Sequence, residues 1–564
     1  MASQNAPHDI SISQTLTVGR AALLMAAMIG LSRLTGFGRM MLVSHLYATG
    51  TQAQVFEAAF NIPDTITILI AGGALATGFV PVFTDLISRG EQDAARRTFR
   101  AMWTLLGAAF GVITLILLAL TWTPLRAFLA PQKIGAADLE LYFKLLRILL
   151  VAQFFFVVGG LFSGTLNALR LFWYPALQPV MFNCGILIFG VLLPLFFGMG
   201  IESQAWGALA GAIVGSLLIQ MPAVLRNGLS LSPLWDFNDA GVRRVLKSLL
   251  PIVFGLASGQ IIALNLPRFI AYGMPALLPP IGYANRLMQV PLDLLASGPA
   301  IALFPTLALL WAQNNKYEMR EQIAGAFRRT LVLTCLATAL LAALRFPILH
   351  FLLEHGEFDK GDTKIVAPVL GCYALCIVGL GAQQVLARGF YAMGETKTPI
   401  VVGIVAMLIF AAMAKILVFL VGGASALALA AAIAVTVLAI SLWLALRAKL
   451  GGWDEGQSET ALLKAICAGI AAYFAALYAA RLGFVLVNAL SWNAENTNAI
   501  LKYSARGAVA ALGAVAGSIA FIVIGAVLRL KELDFLTGKL SRKKPKAAPT
   551  SLFVSGELPS REES

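Results

Sequence analysis

Two arginines stand in the first apolar stretch of the chain, in the run Ser32-Arg33-Leu34-Thr35-Gly36-Phe37-Gly38-Arg39. An arginine at the centre of a bilayer costs about 2.5 kcal/mol or more, so such residues face water, an acid or a ligand. A guanidinium stays charged when desolvated, and its planar fork of donors matches phosphate oxygens. The chemistry these residues suit is capture of an anion, with no bond made or broken. Six positions separate Arg33 from Arg39, which turns them about 120° apart on an ideal helix. Gly36 and Gly38 lie between them and are expected to act as a hinge, bending or unwinding the helix so that both side chains reach one cavity. Arg286, in Tyr283-Ala284-Asn285-Arg286-Leu287-Met288-Gln289, is the third candidate. Three arginines converging from separate parts of the chain would suit a diphosphate. Glu57, Asp64 and Asp293 are the intramembrane acids, candidates for charge balance, proton relay or cation coupling. Lys415 is a further intramembrane charge, either tethered to a carboxylate or reaching toward a helix end.

The elements that must hold these residues are membrane helices. Of 564 residues, 59% are hydrophobic and 12% charged, with a mean hydropathy of +0.82. That composition excludes a soluble protein and implies an all-α polytopic membrane protein. A span needs about 20 mostly apolar residues. About fourteen such stretches follow one another, at roughly 21–47, 57–84, 98–120, 138–164, 175–198, 204–224, 241–271, 281–312, 328–353, 363–390, 399–421, 423–447, 460–485 and 502–530. Lys and Arg gather in alternate loops, which places both termini in the cytoplasm and explains the net charge of +14 without nucleic acid. Lys133, Arg345, Lys360 and Arg481 are exceptions, lying on the sparsely charged side. The first twenty residues lack the order of a cleaved signal peptide. Cys184, Cys335, Cys372, Cys376 and Cys467 sit in apolar stretches and read as packing residues, and the four scattered histidines suggest no metal site. No phosphate-cradling loop and no clustered nucleophile and base argue for an enzyme.

The chain also repeats itself. Phe60-Asn61-Ile62-Pro63, then Phe79-Val80-Pro81, then Arg97-Thr98 are echoed by Met288-Gln289-Val290-Pro291, Leu303-Phe304-Pro305 and Arg329-Thr330, at offsets of 228, 224 and 232 residues. Ala168 and Pro175 are echoed by Ala392 and Pro399 at offset 224. Two six-span lobes of the same membrane orientation follow, with a cavity between them and alternating access by rocking as the natural motion. The expected organisation is a cytoplasmic segment 1–20, an N-lobe 21–230, a C-lobe 241–450, two additional spans within 460–530, and a basic, polar cytoplasmic tail 531–564 able to touch anionic headgroups.

The stretches 32–39, Val55-Phe56-Glu57-Ala58-Ala59-Phe60-Asn61-Ile62-Pro63 and Phe79-Val80-Pro81 resemble the first two helices of the MurJ/MviN family of lipid II flippases. Tyr283 to Met288 resembles the family's eighth helix, and Gly389-Phe390-Tyr391-Ala392 through Lys397-Thr398-Pro399 the segment entering its eleventh. The resemblance is ordered and covers roughly 20–450. It implies a V-shaped fold of the multidrug/oligosaccharidyl-lipid/polysaccharide exporter superfamily in the bacterial cytoplasmic (inner) membrane. It implies translocation of an undecaprenyl-diphosphate-linked peptidoglycan precursor from the cytoplasmic to the periplasmic leaflet, driven by a coupling cation or the membrane potential. Arg33, Arg39 and Arg286 match family arginines assigned to the diphosphate, and spans 13 and 14 match a lipid-side groove for the polyprenyl tail. The partners implied are that substrate, membrane lipids and the peptidoglycan synthesis machinery. The chain departs from the family at Gln54, Gly72 and Gln289, where many members carry acids, and at Thr67-Ile68, where many carry two arginines. Alternatives are a flippase for another lipid-linked glycan, a drug/cation antiporter of the same superfamily, and a non-transporting scaffold of envelope synthesis.

Overall fold

A computed structural model of the protein describes residues 18–71, 74–131, 134–247, 259, 261–489 and 499–533, and among them every regular element is helical. Helices satisfy all backbone donors and acceptors within one segment, as a lipid environment requires. The first lobe comprises α1 (Val18–Tyr47), α2 (Thr51–Ala71), α3 (Ala74–Ser88), α4 (Gln92–Leu120), α5 (Ala136–Ala168), α6 (Trp173–Phe197), α7 (Glu202–Ile213) and α8 (Met221–Arg226), the last two joined by a π turn. The second begins with α9, described over 240–247, and α10 (Leu266–Ala271). It continues through α11 (Leu278–Leu292), α12 (Gly298–Ala312), α13 (Lys316–Ala343), α14 (Arg345–Leu352), α15 (Lys360–Ala374), α16 (Cys376–Ala392), α17 (Lys397–Leu420) and α18 (Gly423–Lys449). Two long helices, α19 (Gln457–Ala489) and α20 (Ala499–Val527), complete the chain.

Ten helical segments among the described residues are long and apolar enough to cross a membrane, so this is a multi-pass membrane protein. The other four expected spans, 21–47, 57–84, 241–271 and 281–312, are helical where described. They are the spans that carry the arginines and acids considered above, apart from Lys415 in α17.

The repeat is visible in the packing. Helix α5 and the α15–α16 segment each span 33 residues, start 224 positions apart, and have 67% of their apolar stretch buried. Each is the central helix of its lobe. Their neighbours α4 and α13 also begin 224 positions apart, yet 11% of one apolar stretch is buried and 50% of the other. The difference arises because α19 packs along α13, with Ala461, Ala465, Ala468 and Ala472 buried against Val332, Cys335 and Ala339. Nothing outside the first lobe covers α4 in this way.

Small residues set the close approach of α6 to α7. Gly207 and Gly211 are one turn apart, and a Cβ on Gly211 would lie 2.5 Å from the Met181 carbonyl oxygen and 2.7 Å from Phe182 Cα. This is the small-xxx-small packing by which helices associate in lipid. Gly211→Val is expected to cost about 1–3 kcal/mol by overpacking and to lower the thermal unfolding midpoint of the detergent-solubilised protein. The displaced helix, α6, also supplies Phe182 and Asn183 to the central cavity.

Polar contacts between the lobes gather at the end bearing Tyr47. Tyr283 Oη donates to the Ala48 carbonyl at 2.8 Å, and the Glu357 amide donates to the His45 carbonyl at 2.9 Å. Thr49 bonds Asp362, and Tyr272 bonds both Tyr142 and the Leu129 carbonyl. The central cavity lies beneath this tie.

Candidate functional site

Helix α1 brings Arg33 and Arg39 to a cavity of about 310 Å³ between the lobes, where Arg286 on α11 and Arg268 on α10 meet them. Phe37, Phe60, Phe156 and Phe182 form apolar walls, and Asn183, Gln153, Asn285 and Gln289 add neutral polar groups. The Asn183 amide donates to the Ser32 carbonyl at 3.3 Å, fixing α6 against α1 at the level of Arg33. Gln289 Nε2 donates to Asn285 Oδ1 at 2.6 Å.

The unwinding expected at Gly36 and Gly38 is absent: α1 is helical from Val18 through Tyr47. The glycines serve the contact with α6, where a Cβ on each would lie 3.4 Å from Asn183 or Leu187. Both arginines reach the cavity because their side chains are long and the cavity is wide enough to span the arc between them.

Each acid is paired with an arginine. Glu57 Oε2 accepts from Arg268 Nη2 at 3.1 Å, and Glu57 Oε1 accepts from Arg286 Nη2 at 2.8 Å. Asp64 accepts from Arg268 Nη1 at 3.3 Å, and Asp293 pairs with Arg33. Every one of these bonds crosses from one lobe to the other. The side chains of Glu57 and Arg268 are each only 6% exposed, so this is the desolvated part of the network. Arg268 Nε is buried without a hydrogen-bond partner. Arg39 forms no ion pair with any carboxylate among the described residues, although Arg286, Glu57, Asp64 and Arg268 are its electrostatic neighbours. Four guanidinium groups thus share three carboxylates.

The repeat explains which arginine is left over. Arg39 and Arg268 are 229 positions apart, as are Glu57 and Arg286, and Asp64 and Asp293. Arg268 meets Glu57 in the opposite lobe. The equivalent partner for Arg39 would stand at the position equivalent to Glu57, which holds Arg286, a like charge. A single reversal of sign between the repeats therefore creates one strong inter-lobe ion pair, Glu57–Arg286, and leaves Arg39 uncompensated.

Arg268 was not among the residues singled out from sequence, because it falls near the end of its span, where an arginine ordinarily snorkels. Its separation from Arg39, within the range of the repeat offsets, was the available signal. Lys415 takes no part in the site: it is exposed on α17, and no carboxylate among the described residues lies within ion-pair distance. Gln54 donates to the Thr49 carbonyl at 2.9 Å, away from the cavity lining. The side chains of Thr67 and Ile68, and Gly72 itself, lie outside the described residues.

Known proteins show the same pattern. The sequence profile of "Lipid II flippase MurJ" matches residues 43–491. The chain is 30% identical over 404 residues to a probable lipid II flippase MurJ of Bdellovibrio bacteriovorus, covering 71% of this chain and 76% of that protein. It is 26% identical over 560 residues to a probable lipid II flippase MurJ of Rhizobium tropici, covering 97% and 99% respectively. Its fold is similar to a solved structure of lipid II flippase MurJ in an inward closed conformation, with a TM-score of 0.69 at 18% identity over 90% of this chain and 99% of that one. An inward-facing multidrug resistance MATE transporter of the MOP superfamily matches with a TM-score of 0.62 at 16% identity over 76% of this chain and 98% of that one. On the extent of the profile match and the identity to these relatives, the chain belongs to the MurJ family of lipid II flippases.

Proposed function

We propose that this chain is a lipid II flippase in which the four-arginine cavity holds the diphosphate of an undecaprenyl-linked peptidoglycan precursor during translocation. The observation that carries the reading is the uncompensated Arg39 in a site of four arginines and three acids. A diphosphate supplies the acceptors this site lacks. It also competes with Glu57 for Arg268 and Arg286, which are the bonds that cross between the lobes. Binding of the headgroup would exchange inter-lobe ion pairs for ligand ion pairs and so free the lobes to separate at the tied end. The prenyl chain stays in lipid throughout, and no catalytic residue is required.

In this reading the membrane is the bacterial inner membrane, both termini are cytoplasmic, and the tied end is periplasmic, as the loop charges indicate. The precursor arrives from the peptidoglycan synthesis machinery on the cytoplasmic face. The membrane potential, worth about 2.3 kcal/mol per charge per 100 mV, acts on the excess cavity cation, and a coupling cation is the second source of drive. Gly36 and Gly38 are the points at which α1 would bend as the lobes rock.

The test is complementation: deplete the resident lipid II flippase of a bacterial host, express this chain, and measure lipid II reaching the outer leaflet. Rescue is expected; failure of a membrane-inserted protein to rescue overturns the reading. The charge argument makes a further prediction. Gln289→Glu places a fourth carboxylate at the cavity and brings its net charge to zero. At about 8 Å and an effective dielectric near 20, one charge is worth about 2 kcal/mol. Flipping is therefore expected to fall about tenfold or more, measured by the same assay at matched expression.

A further inference from the structure

A second cavity lies at the tied end, between α14–α15 and the pair α19–α20, with a volume of about 750 Å³. It shares no lining residue with the central cavity. Its body is apolar, built from Phe346, Tyr473, Leu477, Phe484 and Val509. Its rim carries five cations: Arg345, Lys360, Lys364, Arg481 and Arg506.

None of the five forms an ion pair with a carboxylate among the described residues. Arg506 donates to the Glu354 carbonyl at 2.9 Å, and its Nε is buried without a partner. Arg345 bonds only the Ala342 carbonyl at 2.5 Å and lies 5.3 Å from the Phe346 ring. Lys360, Lys364 and Arg481 are exposed. The one acid in the lining, Glu354, is engaged by His350 at 2.8 Å and by the Thr363 hydroxyl at 3.1 Å. The sequence holds the same anomaly: Arg345, Lys360 and Arg481 are three of the four cations that break the loop-charge bias, and the fold brings all three to one place.

We infer that this cavity binds an anionic phospholipid of the leaflet facing the tied end, its phosphate among the five cations and an acyl chain along the apolar wall. Arginines bind phosphate oxygens in pairs, and each Lys or Arg near a membrane surface is worth about 1 kcal/mol toward an anionic headgroup. A glycan-bearing headgroup fits poorly, because Thr363 is the only aliphatic hydroxyl in the lining and no side-chain amide is present. The occupant is therefore distinct from the molecule held centrally, and the inference stands independently of what the central cavity carries.

The test uses the full chain in detergent, titrated by native mass spectrometry with phosphatidylglycerol, phosphatidylcholine of the same acyl chains, undecaprenyl phosphate or inorganic phosphate. Wild type is expected to prefer phosphatidylglycerol over phosphatidylcholine. The double variant Lys364→Gln, Arg481→Gln removes two exposed, unpaired cations, and is expected to weaken phosphatidylglycerol binding about tenfold or more with an unchanged unfolding midpoint. A matched double variant at the opposite end, Lys316→Gln with Arg329→Gln, is expected to bind as wild type. Equal binding of the two phospholipids, wild-type affinity in the Lys364/Arg481 variant, or equal loss in the Lys316/Arg329 variant would overturn the inference. So would displacement of phosphatidylglycerol by millimolar inorganic phosphate, or preferential displacement by undecaprenyl phosphate.

Discussion

Glu57→Ala will destabilise the protein by about 3–5 kcal/mol, the cost of breaking a buried ion pair by removing one partner. Glu57 accepts from Arg268 and Arg286 at once, and both it and Arg268 are almost fully buried. Without the carboxylate, two guanidinium groups face each other beneath the tie between the lobes, and only Asp64 remains to engage Arg268. The expected result is a lowered unfolding midpoint together with loss of flipping. Glu57→Gln keeps the shape and one acceptor, and should lose less. The informative variant is the exchange Glu57→Arg with Arg286→Glu. An isolated ion pair survives such an exchange; this one should not, because Arg268 would then meet Arg at position 57. Full recovery of stability by the exchange would show that Arg268 is not a partner of Glu57. Thermal unfolding of purified single and double variants measures all of these.

Arg39→Gln is expected to behave in the opposite way. Arg39 has no direct ion pair to lose, so removing it relieves repulsion from Arg268 and Arg286 and should leave the unfolding midpoint at or slightly above that of wild type. Flipping should nevertheless fall about a hundredfold, the scale of two charge-assisted hydrogen bonds at about 1.5 kcal/mol each. Arg39→Lys keeps the charge but loses the fork and should recover only part of the activity. The measurement is lipid II appearing in the outer leaflet at equal membrane content. A fall in stability parallel to the fall in transport would assign Arg39 a structural role.

The lobes and the site differ in how far they could be read from the chain. The repeat offsets 224 and 228 place α5 and α15–α16 in equivalent roles because burial in a central helix constrains many positions together. Arg33, Arg39 and Arg286 could be gathered on one principle, the cost of charge in lipid, and all three line the cavity. The pairing pattern could not be obtained that way. Whether Glu57 meets Arg33, Arg39 or Arg268 depends on how the lobes dock, and nothing local to residue 57 encodes that. Gly36 and Gly38 misled for a related reason: in sequence a glycine marks a bend and a close contact alike, and only Asn183 and Leu187, some 150 residues away, distinguish the two.

The sign reversal between Glu57 and Arg286 has a consequence for assembly. If the first lobe met a copy of itself in the same geometry, Glu57 would face Glu57; two second lobes would set Arg286 against Arg286. Neither combination could bury those charges, because like charges in a low-dielectric interior repel strongly. Only the mixed pairing is neutral at this position. The reversal thus acts as a matching code between the two repeats, favouring partnership within one chain over exchange of lobes between neighbouring copies. Halves expressed as separate polypeptides, divided in the loop 231–239, should co-purify as one first lobe with one second lobe and not as like pairs.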